Sequence, residues 1–207
     1  EIFYNHGTGY YEPSLSQKPK GEYTFRKPTH TGTELLILFS ILCQGKITLH
    51  NTALEPEIDD LIKFLNESGA RIKRKNGKII IRGVKELRQK KPYSIASDRN
   101  EAVTFATLCI GTKGSIKINN INKNDIKAFI DKLISAGCGV NYVDNSAIEF
   151  FYKDGILPVN INTGPHPEFM TDWQPNWAVL ITQANGDCII HEKVYENIFT
   201  YVTELKK

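Results

Sequence analysis

The sequence predicts an α+β fold built from βαβαββ repeats, and three observations support this prediction. First, a helix that ends near a glycine and is followed by a strand occurs three times, around Gly45, Gly114 and Gly186. Second, these glycines lie 69 and 72 residues apart, and a nearly constant spacing indicates a repeated supersecondary unit. Third, an amphipathic helix and then a hairpin pattern follow each of the first two strands.

The first complete unit covers residues 21–83. Its opening strand is "GEYTFRK", and its second helix, residues 55–70, has four apolar residues on one face: Ile58, Leu61, Ile62 and Leu65. This helix is predicted to end at Gly69 with a left-handed C-cap. The segment "RIKRKNGKIIIRG" then predicts a hairpin that turns at Asn76-Gly77.

The second unit repeats this order. Its predicted elements are an opening strand "YSIAS", a second helix over 123–138 that ends at Gly137, and a hairpin over 140–152 that turns at residues 144–146. The third unit opens with "PVNINTG" and stops within its second helix. Residues 1–16 are predicted to be the last hairpin of an earlier unit, with its turn at "NHGTG", and the basic stretch 83–94 a connection between domains.

Composition narrows the class of protein. The chain is 41% hydrophobic and 24% charged, as in globular domains, and its net charge of +3 does not by itself call for nucleic acid. Its longest apolar run, "ELLILFSILC", is far shorter than the roughly 20 residues that span a bilayer, and no signal peptide opens the chain. The four cysteines form no CxxC pair, so they are predicted to be packed thiols in a reducing cytosol. Residue 1 is Glu, and both ends interrupt predicted elements, so we expect a fragment of a longer protein.

One loop stands out from the predicted core elements. Residues 164–177, "GPHPEFMTDWQPNW", contain three prolines and the only two tryptophans of the chain, with Asp172 just before an apolar helix. An aspartate at this place has two interpretations. It is either a helix N-cap or a general base that removes a proton from a bound hydroxyl. The residues alone leave both open.

Three segments together with the repeat resemble the enolpyruvyltransferases: "NTALEPEIDDLIKFLNESGARI", "SDRNEAVTFATL" and "PHPEFMTDWQ". The resemblance covers about residue 18 to residue 207. It implies an αβ prism, an inside-out α/β barrel in which sheets surround buried helices, with three repeats in each of two domains. Residues 1–96 would be the last repeat of the first domain, with 1–16 ending the preceding repeat, and 97–207 would be an incomplete second domain.

The resemblance also implies a reaction. The family members most like this chain transfer the enolpyruvyl group of phosphoenolpyruvate to the 3-hydroxyl of UDP-N-acetylglucosamine, the first committed step of peptidoglycan precursor synthesis. This implies a cytoplasmic transferase without metal or cofactor, and without a nucleic-acid or membrane partner. The family's lysine-asparagine pair, anion-binding arginines and reactive cysteine loop have no match here, so we expect the chain alone to be inactive.

Two other functions remain as alternatives. The first is an enzyme like enolpyruvyl-shikimate-phosphate synthase, which shares the repeat. The second is a non-catalytic RNA-binding module that uses the basic hairpin, although no aromatic residues are interleaved for stacking on bases. Its basic residues would be Arg71, Lys73, Arg74 and Lys75.

The resemblance assigns site residues one by one. It places four consecutive residues on the segment that contacts the nucleotide diphosphate: Lys27, Pro28, Thr29 and His30. Glu55 and Glu57 fall on a pair of acidic residues near the substrate cleft, Asp172 on the aspartate that contacts the sugar 3-hydroxyl, and Val194 on a contact to the uridine end.

Simpler interpretations of the binding residues stay open. A helix N-terminus at 31–33 favours an anion near His30, yet Lys27 can equally be a surface lysine and His30 a strand-end residue. Glu55 and Glu57 are also what the dipole of a helix start favours. Thr29, His30 and Ile198 depart from the family, which usually has serine, a small aliphatic residue and arginine at these positions.

Overall fold

A computed structural model describes residues 2–14 and 19–207 of the chain. The chain divides into two compact structural units, which are distinct from the three sequence repeats. The first unit comprises Glu1–Ala53 and Glu57–Ser94, and the second comprises Leu54–Pro56 and Ile95–Lys207.

The first unit begins with an isolated hairpin. Strands β1 (Ile2–Asn5) and β2 (Tyr10–Pro13) pair antiparallel, with Asn5 opposite Tyr10. The Asn5 side-chain oxygen accepts the backbone N–H groups of Gly7 and Thr8 at 2.9 and 3.2 Å, which closes the turn. The predicted hairpin and its turn are confirmed here, while residues 1, 15 and 16 of that prediction lie outside the described residues.

A four-stranded mixed sheet forms the body of the first unit. Strand β3 (Gly21–Thr24) runs parallel to β4 (Lys46–His50), and helix α1 (His30–Ser40) connects them. After helix α2 (Pro56–Glu67), strands β5 (Arg71–Lys75) and β6 (Lys78–Arg82) form an antiparallel hairpin, and the sheet order is β3-β4-β6-β5. The core is almost entirely aliphatic and includes Ile37, Ile58, Ile79 and Ile81, all without exposed surface.

Two predicted turns of this unit are confirmed. Asn76 and Gly77 have φ angles of 50° and 69°, the two successive positive values of a tight hairpin turn. Gly69 ends α2 with a φ of 106°, where a β-carbon would be strained. Arg74, one of the four residues of the RNA-binding alternative, does not face solvent. Its side chain is 10% exposed and pairs with Asp59 at 2.8 Å.

The second unit contains two sheets. Helix α3 (Arg99–Gly111) leads to strand β7 (Ser115–Asn119), and helix α4 (Lys127–Ser135) leads to the hairpin of β8 (Gly139–Tyr142) and β9 (Ala147–Phe151). The order is β7-β9-β8. Strand β10 (Ile161–Asn162) runs parallel to β11 (Ile190–His191), with a 3-10 helix (Thr171–Trp173) and helix α5 (Gln174–Ile181) between them. A second 3-10 helix (Phe199–Tyr201) and helix α6 (Val202–Leu205) complete the unit.

The order of strands confirms the internal repeat. In both units the strand after the first helix pairs antiparallel with the second strand of the following hairpin, β4 with β6 and β7 with β9. The parallel pair β10 and β11 with α5 between them corresponds to β3, α1 and β4.

One predicted strand is wrong. Residues 93–97, "YSIAS", form no strand, so the sheet of β7 has three strands where the sheet of β4 has four. The side chain of Tyr93 explains the difference, because it is bound within the first unit. Its hydroxyl donates to Asp60 Oδ1 at 2.8 Å, and its ring packs edge-on against Phe64 at a centroid distance of 5.2 Å.

Some large apolar side chains remain exposed on the helices. In the first unit they lie on and just after α1 (Leu35, Leu38, Phe39 and Leu42), and in the second on α3 and α5 (Phe105, Leu108 and Val179). Over residues 2–14 and 19–207 the sheets close into no barrel, so the prism remains a prediction. In the part of the chain that the structure describes, no helix combines the length and the apolar character needed to cross a membrane.

The cysteines are packed as predicted, with one exception. Cys43, Cys109 and Cys138 are buried, Cys188 is partly exposed, and all four are free thiols. Burial raises the pKa of Cys138 to about 11, against a smaller opposing effect of Lys153, and burial also raises the pKa of Cys109. A thiol with a raised pKa is a poor nucleophile at neutral pH.

Candidate functional site

The predicted diphosphate-contacting residues form the entry to α1. Phe25 is buried at the end of β3, and its carbonyl accepts a hydrogen bond from the Asn51 side chain at 2.9 Å. The chain then turns outward, so Lys27, Pro28 and Thr29 are exposed. Thr29 is the N-cap of α1, and its hydroxyl accepts the Gly32 N–H at 3.3 Å. The helix therefore begins at His30, one residue before the predicted start.

The structure brings two predicted site residues, His30 and Glu57, together. His30 Nε2 lies 3.9 Å from the Glu57 carboxylate, and His30 Nδ1 lies 3.8 Å from Glu34 one turn along α1. All three side chains are between 34% and 41% exposed, so these pairs contribute little to stability.

The two predicted acidic residues have different surroundings. Glu57 is half-exposed in the first turn of α2, where the helix dipole favours an acidic side chain. Glu55 precedes the helix, is only 9% exposed and groups with the second unit. They do not form one exposed acidic pair.

Asp172 lies in the middle of the 3-10 helix Thr171–Trp173. Its carboxylate is exposed, while both neighbours, Thr171 and Trp173, are buried. Within this described segment, neither the 3-10 helix nor α5 has a side-chain cap hydrogen bond. The N-cap interpretation of Asp172 is therefore wrong.

The aromatic side chains around Asp172 fix its backbone from inside. Trp173 and Trp177 are 1% and 0% exposed, and both contact Phe169 edge to face at centroid distances of 5.7 Å. Phe129 of α4 packs against all three, at 6.1 to 6.2 Å. The Trp173 indole N–H also donates to Asn100 Oδ1 at 2.8 Å. Together these contacts anchor the turn that presents Asp172 to the core of the second unit.

A buried arginine lies against the same turn. Arg99 is 2% exposed, its guanidinium lies 5.8 Å from the Trp173 ring centroid, and its Nη1 is 3.1 Å from His166 Nδ1. Asp98, which caps α3 by accepting the N–H groups of Asn100 and Glu101, fixes the start of that helix. Arg99 thus links the first turn of α3 to the proline loop.

The proline loop closes on itself before it reaches Asp172. The Gly164 N–H donates to the Phe169 carbonyl, and the Glu168 N–H donates to the Pro165 carbonyl, both at 2.9 Å. The peptide bond between His166 and Pro167 is cis. These bonds return the chain to the end of β10, where Thr163 bridges to Phe169.

Val194 lies in the turn after β11 and is 42% exposed. Glu192 holds this turn, since its Oε1 accepts the backbone N–H groups of Val194 and Tyr195 at 2.8 and 3.2 Å. The same oxygen accepts the Thr171 hydroxyl at 2.7 Å. One carboxylate therefore contacts both the residue before Asp172 and the turn that carries Val194.

Sequence reasoning missed Glu192, Arg99, Asn100 and Thr171. Their partners are 21 to 73 residues away in the chain, and no local motif announces such contacts. Two signals lie in the sequence, "SDRNE" with Asp98, Arg99 and Asn100, and "FMTDWQ" with Thr171, and both belong to segments that resemble the enolpyruvyltransferases.

Within the described ranges, no group of three or more histidine, cysteine or acidic side chains is arranged to hold a metal ion.

Comparison with known proteins gives a consistent result. UDP-N-acetylglucosamine 1-carboxyvinyltransferase 1 of Clostridium acetobutylicum is 38% identical over 202 residues, which is 97% of this chain and 48% of that protein. The protein of the same name from Clostridium perfringens is 40% identical over 183 residues, 87% of this chain and 43% of its own length. The chain thus spans just under half the length of the curated relatives it matches.

The fold comparison agrees. The crystal structure of the enolpyruvyl transferase NikO from Streptomyces tendae superposes with a TM-score of 0.74, at 22% identity, over 87% of this chain and 43% of that one. At this identity the superposition shows a shared fold. A family profile described as EPSP synthase (3-phosphoshikimate 1-carboxyvinyltransferase) matches residues 1–207. The chain therefore belongs to the EPSP synthase (3-phosphoshikimate 1-carboxyvinyltransferase) family.

Proposed function

We propose that this chain is part of a transferase that moves the enolpyruvyl group of phosphoenolpyruvate to the 3-hydroxyl of UDP-N-acetylglucosamine, in cytoplasmic peptidoglycan precursor synthesis. The observation that carries the proposal is the name shared by relatives that are 34–40% identical over most of the chain. The exposed Asp172 supports it. Its carboxylate caps neither the 3-10 helix nor α5 and is therefore available to a substrate.

In this proposal Asp172 is the general base. A sugar hydroxyl is a weak nucleophile at neutral pH, and a carboxylate within hydrogen-bond reach takes its proton as the new C–O bond forms. The buried indoles of Trp173 and Trp177 anchor the turn. The carboxylate is therefore oriented before substrate binds, and less entropy is lost on reaching the transition state.

The first unit would bind the nucleotide diphosphate. The first backbone N–H groups of an α-helix have no partner within the helix and attract anions, and His30 and Thr31 occupy these positions in α1. Lys27 adds an exposed positive charge, and Pro28 and Thr29 set the direction of the entering chain. Glu55 and Glu57 would line the substrate cleft and position polar or cationic partners. Val194 would contact the uridine end of the substrate.

We also propose the domain assignment and the prism. Residues 1–96 would form the last repeat of one domain and residues 97–207 an incomplete second domain. The exposed apolar residues on α1 (Leu35, Leu38 and Phe39) support a prism, because burying them against helices of further repeats would release water from apolar surface.

The experiment that tests the proposed function is a substrate comparison with the complete gene product. Phosphate release from phosphoenolpyruvate is measured with UDP-N-acetylglucosamine and with shikimate 3-phosphate, since the family profile carries the name of the shikimate enzyme. We expect turnover only with the nucleotide sugar. Turnover only with shikimate 3-phosphate would refute the proposed substrate, and phosphate release with neither would refute the reaction.

Two further measurements accompany this comparison. The 207-residue chain alone is expected to release no phosphate, because it lacks a match to the family's cysteine loop and anion-binding arginines. Binding of labelled single-stranded RNA is expected to be undetectable at 150 mM salt. RNA binding that is lost when Arg71, Lys73 and Lys75 are neutralised would instead favour the nucleic-acid alternative.

A further inference from the structure

Glu192 lies at a junction of three segments of the second unit. It follows β11 directly, and its side chain is partly buried. Its Oε1 accepts three hydrogen bonds, from the Thr171 hydroxyl at 2.7 Å, the Val194 N–H at 2.8 Å and the Tyr195 N–H at 3.2 Å. A surface carboxylate bound only to water would have no such set of protein donors.

Thr163 joins the end of β10 to the end of β11 and the turn that follows it. Its side chain is fully buried, its hydroxyl accepts the Lys193 N–H at 2.9 Å, and its own N–H donates to the His191 carbonyl at 3.0 Å. Burial alone would raise the pKa of Glu192, but hydrogen bonds, the largest from the Thr171 hydroxyl and the Val194 N–H, outweigh it and hold the pKa below its usual value. The group is therefore ionised at neutral pH, and hydrogen bonds to an ionised acceptor are the strong ones.

We infer that Glu192 is a positioning residue, which holds the Thr171–Asp172 turn and the Val194–Tyr195 turn in one fixed arrangement. The inference rests on the proposed function, in which Asp172 acts on the sugar hydroxyl and Val194 contacts the uridine end. Glu192's own hydrogen bonds go to the Thr171 hydroxyl and to the backbone N–H groups of Val194 and Tyr195. It acts through its neighbours.

A residue in this role affects two kinetic constants at once. Loss of the Thr171 bond displaces Asp172 and lowers kcat, since a misplacement of about 1 Å can cost about 100-fold in rate. Loss of the Val194 and Tyr195 bonds loosens the uridine contact and raises KM for the nucleotide sugar. A residue that only stabilised the fold would lower the melting temperature and leave both constants of the folded enzyme unchanged.

The test uses three variants of the complete gene product. For Glu192→Ala we expect kcat to fall by about tenfold or more and KM for UDP-N-acetylglucosamine to rise by about threefold or more. Glu192→Gln keeps an oxygen that accepts the same three hydrogen bonds, so both constants should stay within about threefold of the unsubstituted enzyme. Asp187→Ala is the matched control, because Asp187 is an exposed acidic residue of the same segment.

A second pair of variants separates the effect of the hydrogen bond from Thr171 from the effect of those from Val194 and Tyr195. Thr171→Val keeps the shape of the side chain but removes the donor to Glu192, so kcat should fall while KM for the nucleotide sugar is unchanged. Thr171→Ser keeps a hydroxyl and should recover most of the lost rate. This pair also carries the test if Glu192→Ala does not fold.

The outcomes separate this inference from the proposed function. No turnover by the unsubstituted enzyme would overturn both. An active enzyme whose Glu192→Ala variant keeps normal kcat and KM, with only a lower melting temperature, would overturn the positioning role alone. Loss of activity in Glu192→Gln equal to that in Glu192→Ala would also overturn it, because charge and not position would then be what matters.

Discussion

Replacing Asp172 by Asn separates a catalytic carboxylate from a structural one. The side chain is exposed, and in the described segment around it neither the 3-10 helix nor α5 uses it as a cap. The substitution therefore removes no intramolecular hydrogen bond and creates no cavity. Surface changes of this kind alter the free energy of unfolding by no more than about 0.5 kcal/mol.

The expected effect on catalysis is much larger. An amide of the same size cannot accept a proton from the sugar hydroxyl, and loss of a general base lowers the rate by about 10²-fold or more. A 10²-fold loss corresponds to about 2.7 kcal/mol of transition-state stabilisation. The predicted change in the activation barrier thus exceeds the predicted change in folding stability about fivefold.

The assay pairs steady-state phosphate release by the complete gene product with a thermal melt of the same preparation. We expect kcat to fall by about 10²-fold or more while the melting temperature shifts by no more than about 2 °C. Asp187→Asn is the control, since it makes the same chemical change at another exposed aspartate of the second unit. Near-normal turnover of Asp172→Asn combined with a clearly lowered melting temperature would refute the reasoning.

Three further predictions concern stability and reactivity. Trp177→Ala should lower the free energy of unfolding by about 3–5 kcal/mol in urea titration, because a fully buried indole in contact with two phenylalanines is lost; a change under 1 kcal/mol would contradict the buried cluster. Cys138, whose pKa is about 11, should react with iodoacetamide at pH 8 far more slowly than Cys188, as measured by mass spectrometry of digested native protein, and equal rates would show that its burial is incorrect. Burial and the hydrogen bond to Asp60 raise the pKa of Tyr93 from 10.0 to about 12. The stability that Tyr93 contributes is therefore fully present below pH 10 and is lost as pH rises towards 12. Over this range the free energy of unfolding of the unsubstituted protein should fall more steeply than that of Tyr93→Phe. Parallel pH profiles of the two proteins would contradict the raised pKa of Tyr93.

The repeat and its turns were predictable from sequence because local forces set them. Asn76-Gly77 and Gly69 adopt positive φ angles that most other residues disfavour. Their positions in the sequence therefore indicate a hairpin turn and a helix end, and no tertiary contact is needed to predict them. The apolar face of α2, with Ile58, Ile62 and Leu65 buried, follows from the helical period.

The failed prediction at residues 93–97 shows where local reasoning ends. The segment has the alternating character of a strand, but the hydroxyl of Tyr93 binds Asp60, 33 residues earlier, and no strand forms. An alternating pattern of apolar residues indicates that a segment can pair with another strand. Whether a neighbouring strand edge is available depends on the rest of the fold.

The sequence by itself thus determined the βαβαββ repeat and the identity of Asp172 as a residue of interest, and the likeness to relatives determined the family. Only the tertiary structure decided that Asp172 caps no helix, that His30 lies beside Glu57, and that Arg99 and Glu192 support the turn at Thr171. The physical reason is separation along the chain. Turns and caps are fixed by the conformations of a few adjacent residues, whereas these contacts join side chains 21 to 74 residues apart, which meet only once the core is packed.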